Sequence, residues 1–183
     1  MFKLLENRLY KRSNFWKLFS RKYKLTKTIE HMMIDSIDIQ ENDRILEMGI
    51  GNGTVFKSIT KKLEKGSLKS IDPSKRKVRQ ISRANRKNMG NGEVFHGYPE
   101  DIPFDDRTFN KVFSLHTVQS CTDIRLALRE IYRVLQIDGR FYISIDTNTG
   151  EKEKTYIQLL KDQHFRDLSV IRRDSCLCIV AVK

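Results

Sequence analysis

The chain has 183 residues, enough for one domain with a hydrophobic core. Its composition, 39% apolar and 32% charged, excludes a disordered chain. The formal net charge of +12 attracts anions, whether nucleic acid, membrane headgroups or an acidic small molecule, although a plain solvated surface carries such charge equally well.

The charge is concentrated. Residues 1–28 hold nine lysines and arginines against Glu6 alone, and residues 57–90 hold twelve against Glu64 and Asp72. In the first stretch Phe2, Leu5, Leu9, Trp16, Phe19 and Tyr23 fall near helical spacing, which predicts helical turns over 3–22. Ile29, Met32, Met33 and Ile37 predict a helix over 28–37. Strands and helices then alternate: strand 44–48, helix 53–64, strand 67–72, helix 74–88, strand 93–96, strand 111–115, helix 123–135 and strand 140–145 after the turn at Asp138-Gly139. A helix over 151–163 precedes two apolar runs, 168–171 and 176–182. Too few residues separate those runs for a parallel crossover, so they form a hairpin. The expected fold is α/β, a Rossmann-like three-layer arrangement around a seven-stranded, mostly parallel sheet with a C-terminal antiparallel hairpin. Residues 1–40 are expected to form a helical lid or arm, and 41–183 the main domain.

The most informative stretch is Arg44 to Thr54. A short apolar strand leads to Glu47, then to Gly49, Gly51 and Gly53, and a helical apolar pattern (Val55, Phe56, Ile59, Leu63) begins at once. Strand, glycine loop and helix make the nucleotide-cradling unit of open α/β sheets. Asp72, nineteen residues past Gly53, ends the next strand, where a carboxylate meets ribose hydroxyls. The spacing is G-x-G-x-G rather than the dinucleotide G-x-G-x-x-G, and Glu47 would repel a pyrophosphate. A cationic ligand suits it better. By charge that ligand is S-adenosylmethionine, which carries a sulfonium and an ammonium and no phosphate.

Four stretches in order carry a family resemblance. They are Ile-Leu-Glu-Met-Gly-Ile-Gly-Asn-Gly (45–53), Ser-Ile-Asp-Pro-Ser (70–74), the segment 100–114 from Glu-Asp-Ile-Pro-Phe to Lys-Val-Phe-Ser, and 127–141 from Ala-Leu-Arg-Glu to Asp-Gly-Arg-Phe. The region 43–144 resembles class I S-adenosylmethionine-dependent methyltransferases of the type 11 group, which includes ubiquinone and menaquinone C-methyltransferases. The resemblance implies that Glu47, Gly49, Gly51 and Gly53 line the cofactor's methionine and adenosine portions. It implies that Asp72 and Pro73 border the ribose and that residues 98–100 border the adenine. The usual Gly-Asp-Ala-Glu of that last loop is Gly97-Tyr98-Pro99-Glu100 here, so the candidates are Pro99 and Glu100, and Pro99 has no N–H to give the ring. His116 falls where the family places residues near the transferred methyl. It is the candidate catalytic base, or alternatively a polar lining residue, with Thr117 and Gln119 as weaker pocket candidates.

No metal site is expected, because the three cysteines (Cys121, Cys176, Cys178) and four histidines lack ligand spacing. Free thiols, no secretory signal and no apolar run of spanning length suggest a cytoplasmic protein without a transmembrane segment. The expected function is methyl transfer to a small, anionic molecule. Two alternatives stand beside it: an RNA or ribosome-associated methyltransferase, and a catalytically degenerate fold that only binds. The chain has Ser-Leu-His-Thr (114–117) where nucleic-acid amino-methyltransferases carry an Asn/Asp-Pro-Pro-Tyr/Phe run, which favours the small acceptor. Oligomeric state has no sequence signal.

Overall fold

The computed structural model describes residues 29–85, 90–115, 117–146, 150–173 and 176–183. The helical turns expected over 3–22 and His116 lie outside the described residues. Helix α1 covers residues 29–36. There follow β1 (Arg44–Met48), α2 (Thr54–Thr60), β2 (Ser67–Asp72), α3 (Lys75–Asn85), β3 (Gly92–His96) and β4 (Phe109–Ser114). A single turn at Val118–Ser120 precedes α4 (Ile124–Val134), β5 (Leu135–Asp146), α5 (Gly150–Asp162), β6 (Arg166–Arg173) and β7 (Cys176–Val182). The strands form one sheet in the order β3-β2-β1-β4-β5-β7-β6. Every pair from β3 to β5 is parallel, and β7 runs antiparallel to both β5 and β6. The hairpin expected at the C-terminus is present, and it inserts β7 between β5 and the edge strand β6.

Both faces of the sheet are covered, so the central strands β1 and β4 are buried at nearly every position. Ile45, Phe113, Tyr142 and Cys178 point to one layer, where they pack with Ile29, Met32 and Met33 of α1, Phe56 and Ile59 of α2, and Ile81 of α3. Leu46, Val112, Phe141 and Ile179 point to the other, against Leu128 and Ile131 of α4 and Leu160 of α5. Thus α1, within the expected lid or arm, is built into the core on the α2–α3 side.

Several boundaries differ from the sequence reading for physical reasons. Helix α2 stops at Thr60 rather than 64, because Lys62 and Leu63 turn back in three-residue hydrogen bonds to Ile59 and Thr60. Leu63 stays buried in that turn, which is why the apolar period ran on. Strand β5 opens at Leu135, not at 140. Leu135 pairs with Phe109, the register then shifts, and Asp138, at φ 62, turns the chain before Arg140 pairs with Lys111. The Asp138-Gly139 turn is therefore an interruption within one strand. Helix α4 begins one residue after Asp123, whose carboxylate caps it by accepting from the Arg125 and Leu126 N–H groups. At its other end the Lys183 ammonium donates to the Tyr132 carbonyl (2.6 Å) and the Leu135 carbonyl (2.8 Å), satisfying acceptors the helix leaves open.

One ionic latch closes the edge of the sheet where β1 begins. Lys111 of β4 is almost wholly buried, and its ammonium donates to Asp43 Oδ2 (2.6 Å) and to the Asp38 carbonyl. Asp43 also accepts from the Asn110 amide (2.6 Å) and the Gln40 N–H (2.7 Å), so its buried carboxylate is fully partnered.

Candidate functional site

At the opposite edge, where β1 and β2 end, the chain leaves polar groups inside. Glu47 lies beside Ser70 in the β1–β2 register and is only 1% exposed. Its Oε2 has no hydrogen-bond partner, and neither has the Ser70 hydroxyl. Burial pushes the Glu47 carboxyl up to about 8, and the negative fields of Asp72 and Glu30 push the same way. The Ser70 hydroxyl alongside pulls downward, by more than either of those fields pushes up, without closing a complete hydrogen bond. Buried polar atoms without partners are rare and mark places where something outside the chain completes the set.

The loop after β1 is shaped for close approach. Gly49 and Gly51 sit at φ 89 and φ 54, which side chains rarely adopt. A Cβ on Gly49 would strike the Thr117 hydroxyl, so the segment after β4 packs directly onto this glycine. A Cβ on Gly51 would meet nothing within 4 Å, which leaves bare backbone facing open space. Gly53, at φ 80, then starts α2.

Asp72 ends β2, 3% exposed. Its Oδ1 accepts from the Ser74 N–H (2.8 Å), and its Oδ2 lies 3.5 Å from the Lys77 ammonium. Ser74, in turn, caps α3 by accepting from the Lys77 N–H. One carboxylate oxygen is thus held by the turn, and the other only by a half-exposed, displaceable lysine. Pro73 beside it is exposed.

The loop after β3 divides its residues. Tyr98 is 49% exposed and meets the His96 ring edge-on at 5.4 Å, with His96 directly across from Asp72 in the register. Pro99 is buried, and Glu100 turns toward α4, its Oε1 accepting from the Thr122 and Asp123 N–H groups. Tyr98 is therefore the open member of the three residues, 98–100, expected to border the adenine. A residue that sequence reasoning missed is Arg133. Its guanidinium donates to the Phe104 carbonyl (2.8 Å), the Ile102 carbonyl (3.0 Å), Asp106 (2.8 Å) and both oxygens of Glu130, while Glu130 also accepts from the Ile102 N–H. This pins the loop before β4 to α4, and the Arg133 guanidinium holds the Glu130 carboxyl below its usual range. The Glu-x-x-Arg pair one turn apart on an amphipathic helix was the available signal. Arg133→Ala is expected to cost about 2 kcal/mol of unfolding free energy, read in urea denaturation, through lost charge-assisted hydrogen bonds.

Past β4 the backbone is stitched across the sheet. The Ser114 hydroxyl accepts from the Val118 N–H, the Ser144 hydroxyl donates to the Leu115 carbonyl, and the Gln119 amide donates to the Ser144 carbonyl. Of the two weaker pocket candidates, Thr117 thus braces the glycine loop and Gln119 ties β4 to β5.

The structure brings Glu47, Gly49, Gly51, Gly53, Asp72 and Pro73 together at one edge of the sheet. An unpartnered buried carboxylate oxygen, an open glycine backbone and a second carboxylate with a displaceable partner fit a ligand with an ammonium and a ribose. Among the described residues no helix is long and apolar enough to cross a membrane.

Comparison with known proteins agrees with this geometry. The family profile described as "Methyltransferase domain" matches residues 46–143. A Bacillus subtilis (strain 168) protein, YrhH, whose name assigns it to the methyltransferases, is 97% identical over 180 residues, covering 98% of this chain and 100% of that one. A demethylmenaquinone methyltransferase of Chlorobaculum tepidum is 28% identical over 130 residues; the match takes in 71% of this chain but 48% of that relative, less than half its length. Among solved structures, an S-adenosylmethionine-dependent methyltransferase from Aquifex aeolicus superposes with a TM-score of 0.72 at 22% identity, over 84% of this chain and 88% of that one. The chain belongs to the methyltransferase-domain family and is an S-adenosylmethionine-dependent methyltransferase of the class I fold.

Proposed function

We propose that this methyltransferase acts on a small, anionic organic molecule and that the edge around Glu47 and Asp72 holds its cofactor. The observation that carries the cofactor assignment is the buried Glu47 oxygen left without a partner beside Ser70. When bound, S-adenosylmethionine supplies a methyl group on a sulfonium, already activated for displacement. Glu47 accepts from the ammonium, and its low-dielectric surroundings strengthen that contact. Asp72 exchanges Lys77 for the ribose hydroxyls. Gly49, Gly51 and Gly53 let the backbone lie against the ligand, and Pro73, Pro99 and Glu100 border its nucleoside end. His116 takes the proton from the acceptor's hydroxyl, phenol or amine.

The small acceptor is supported by the Ser114-Leu115-His116-Thr117 run after β4 and by the C. tepidum relative, which is named for a quinone precursor. The basic surface favours a negatively charged acceptor. Residues 41–183 form the methyltransferase domain, and α1, from the segment 1–40, packs in its core.

Calorimetry with S-adenosylhomocysteine tests the cofactor site. Asp72→Ala is expected to weaken binding by about 1–3 kcal/mol, a factor of roughly 5 to 150. A wild-type protein that binds nothing at millimolar ligand overturns the assignment. Labelled S-adenosylmethionine incubated with the enzyme and a cell extract tests the acceptor. Label in a small anionic fraction is expected, and label in RNA would replace this reading with the nucleic-acid one.

A further inference from the structure

Helix α3 carries Lys75, Arg76, Lys77, Arg79 and Arg83, and no acid. Ile81 faces the core with Phe56 and Ile59 of α2. Arg76, Arg79 and Arg83 stand at i, i+3 and i+7, so they share the outer face, and all three are exposed. With Gln80 and Ala84 they line a shallow concavity along the helix. Lys77 is turned away toward Asp72, but none of the three guanidinium groups makes an ion pair among the described residues. Neighbouring α2 and the turn after it add Lys57, Lys61, Lys62 and Lys65, all exposed, of which only Lys65 forms an ion pair among the described residues, with Glu41.

We propose that the arginine face of α3 binds the phosphodiester backbone of single-stranded RNA without reading its bases. The guanidinium fork matches phosphate oxygens bidentately, and three forks in line give register as well as charge. From Arg76 to Arg83 the helix rises about 10 Å, the reach of roughly two or three phosphates of one strand. The three arginines lie in a single row along the helix, which follows one strand. A membrane surface would call for apolar side chains to insert, but among the described residues the exposed large hydrophobics are Tyr98, Ile137 and Ile171, none of them on α2 or α3. A small anion would call for an enclosed site, and this concavity is lined by exposed arginines. The face lies on the outer side of the α2–α3 layer, so the inference holds whichever molecule accepts the methyl group.

Fluorescence anisotropy of a labelled twenty-nucleotide oligouridylate with the full chain tests this. The wild type is expected to bind at 50 mM salt and to weaken steeply as salt rises. The triple variant Arg76→Gln, Arg79→Gln, Arg83→Gln is expected to bind at least tenfold more weakly, with a log–log salt slope shallower by about 2, since each lost single-strand phosphate contact removes about 0.7. A triple Arg→Lys variant at these positions keeps the charge and is expected to fall between the two. A matched variant on the other side of the sheet, Lys152→Gln, Lys154→Gln, Lys161→Gln on exposed positions of α5, is expected to bind like the wild type. Equal melting temperatures and equal S-adenosylhomocysteine affinity establish that every variant is folded. The proposal is overturned if the wild type does not bind, if the α3 variant binds as well as the wild type, or if the α5 variant loses as much. It is also overturned if phosphatidylglycerol-containing vesicles capture the wild type through these arginines while the RNA does not.

Discussion

At pH 8, Glu47→Gln is expected to melt well above the wild type while losing most of its affinity for S-adenosylhomocysteine. The sign follows from the position of the carboxyl. Unfolded, Glu47 titrates near its ordinary 4.5; folded, burial and the neighbouring Asp72 and Glu30 push it up to about 8. Below about pH 4.5 it is neutral in both states and costs nothing. Between the two values the unfolded chain gives up a proton that the folded chain keeps, so stability falls by about 1.4 kcal/mol per pH unit and levels off above 8. A neutral glutamine of the same shape removes that penalty. At pH 8 the variant should gain about 2–4 kcal/mol, or roughly 5–10 °C in melting temperature for a chain of this size. Thermal scans at pH 5, 6.5 and 8 check it, with the gap between variant and wild type widening as pH rises. A gap that is constant, or a variant that melts lower at pH 8, would refute the buried, unsatisfied state of Glu47.

With Glu47 as the proposed partner of the cofactor's ammonium, cofactor binding is expected to release a proton. An ammonium beside Glu47 selects the ionised form, a minority below pH 8. Wild-type affinity should therefore rise between pH 6 and 7.5, by up to about tenfold per unit, and the glutamine variant should lack that rise. Calorimetry in phosphate and Tris at pH 6.5 counts the proton through the difference in buffer heats. Instability of the empty site and affinity of the filled one then have a common origin, the usual relation between strain at a functional site and its use.

The parts of this molecule legible in the sequence are those whose signals are local. Glu47, the glycine loop and α2 are contiguous, so chain order alone assembled them, and the short gap between β6 and β7 ruled out a crossover before any contact was known. The ends of β6 were not legible. Arg166, Asp167, Arg172 and Arg173 are exposed on an edge strand and carry no apolar alternation, so only the interior run 168–171 announced itself. At the site, the missed features all join distant positions. Glu100 is expected at the adenine, and its Oε1 also serves backbone amides 22 and 23 residues away, which chain order could not show. Thr117 against Gly49, and Arg133 against the loop before β4, likewise depend on the sheet order that brings β1, β4 and β5 side by side. One anomaly did stand in the sequence unread: a lysine inside the apolar strand Phe-Asn-Lys-Val-Phe-Ser.

That lysine carries the largest expected loss of stability. Lys111→Ala would leave the Asp43 carboxylate, 2% exposed, without its cation while the Asn110 and Gln40 donors stay in place. Breaking a buried pair from one side costs about 3–5 kcal/mol, because the surviving charge is neither hydrated nor matched. For a chain of this size that is a fall of roughly 10 °C in melting temperature. The loss should be confined to stability. Asp43 and Lys111 close the end of the sheet where β1 begins; Glu47 lies four residues, about 13 Å, past Asp43 and two residues, about 7 Å, past the register partner of Lys111. S-adenosylhomocysteine affinity measured well below the melting point should therefore match the wild type, the opposite of what Glu47→Gln does. Replacing both partners, Asp43→Asn with Lys111→Met, leaves no lone charge inside and keeps one acceptor oxygen for one of the Gln40 and Asn110 donors. The double variant should recover at least half of the lost stability. A single Lys111→Ala variant melting within 2 °C of the wild type, or a double variant worse than the single, would show that the latch is not what holds β1 to β4 at this edge.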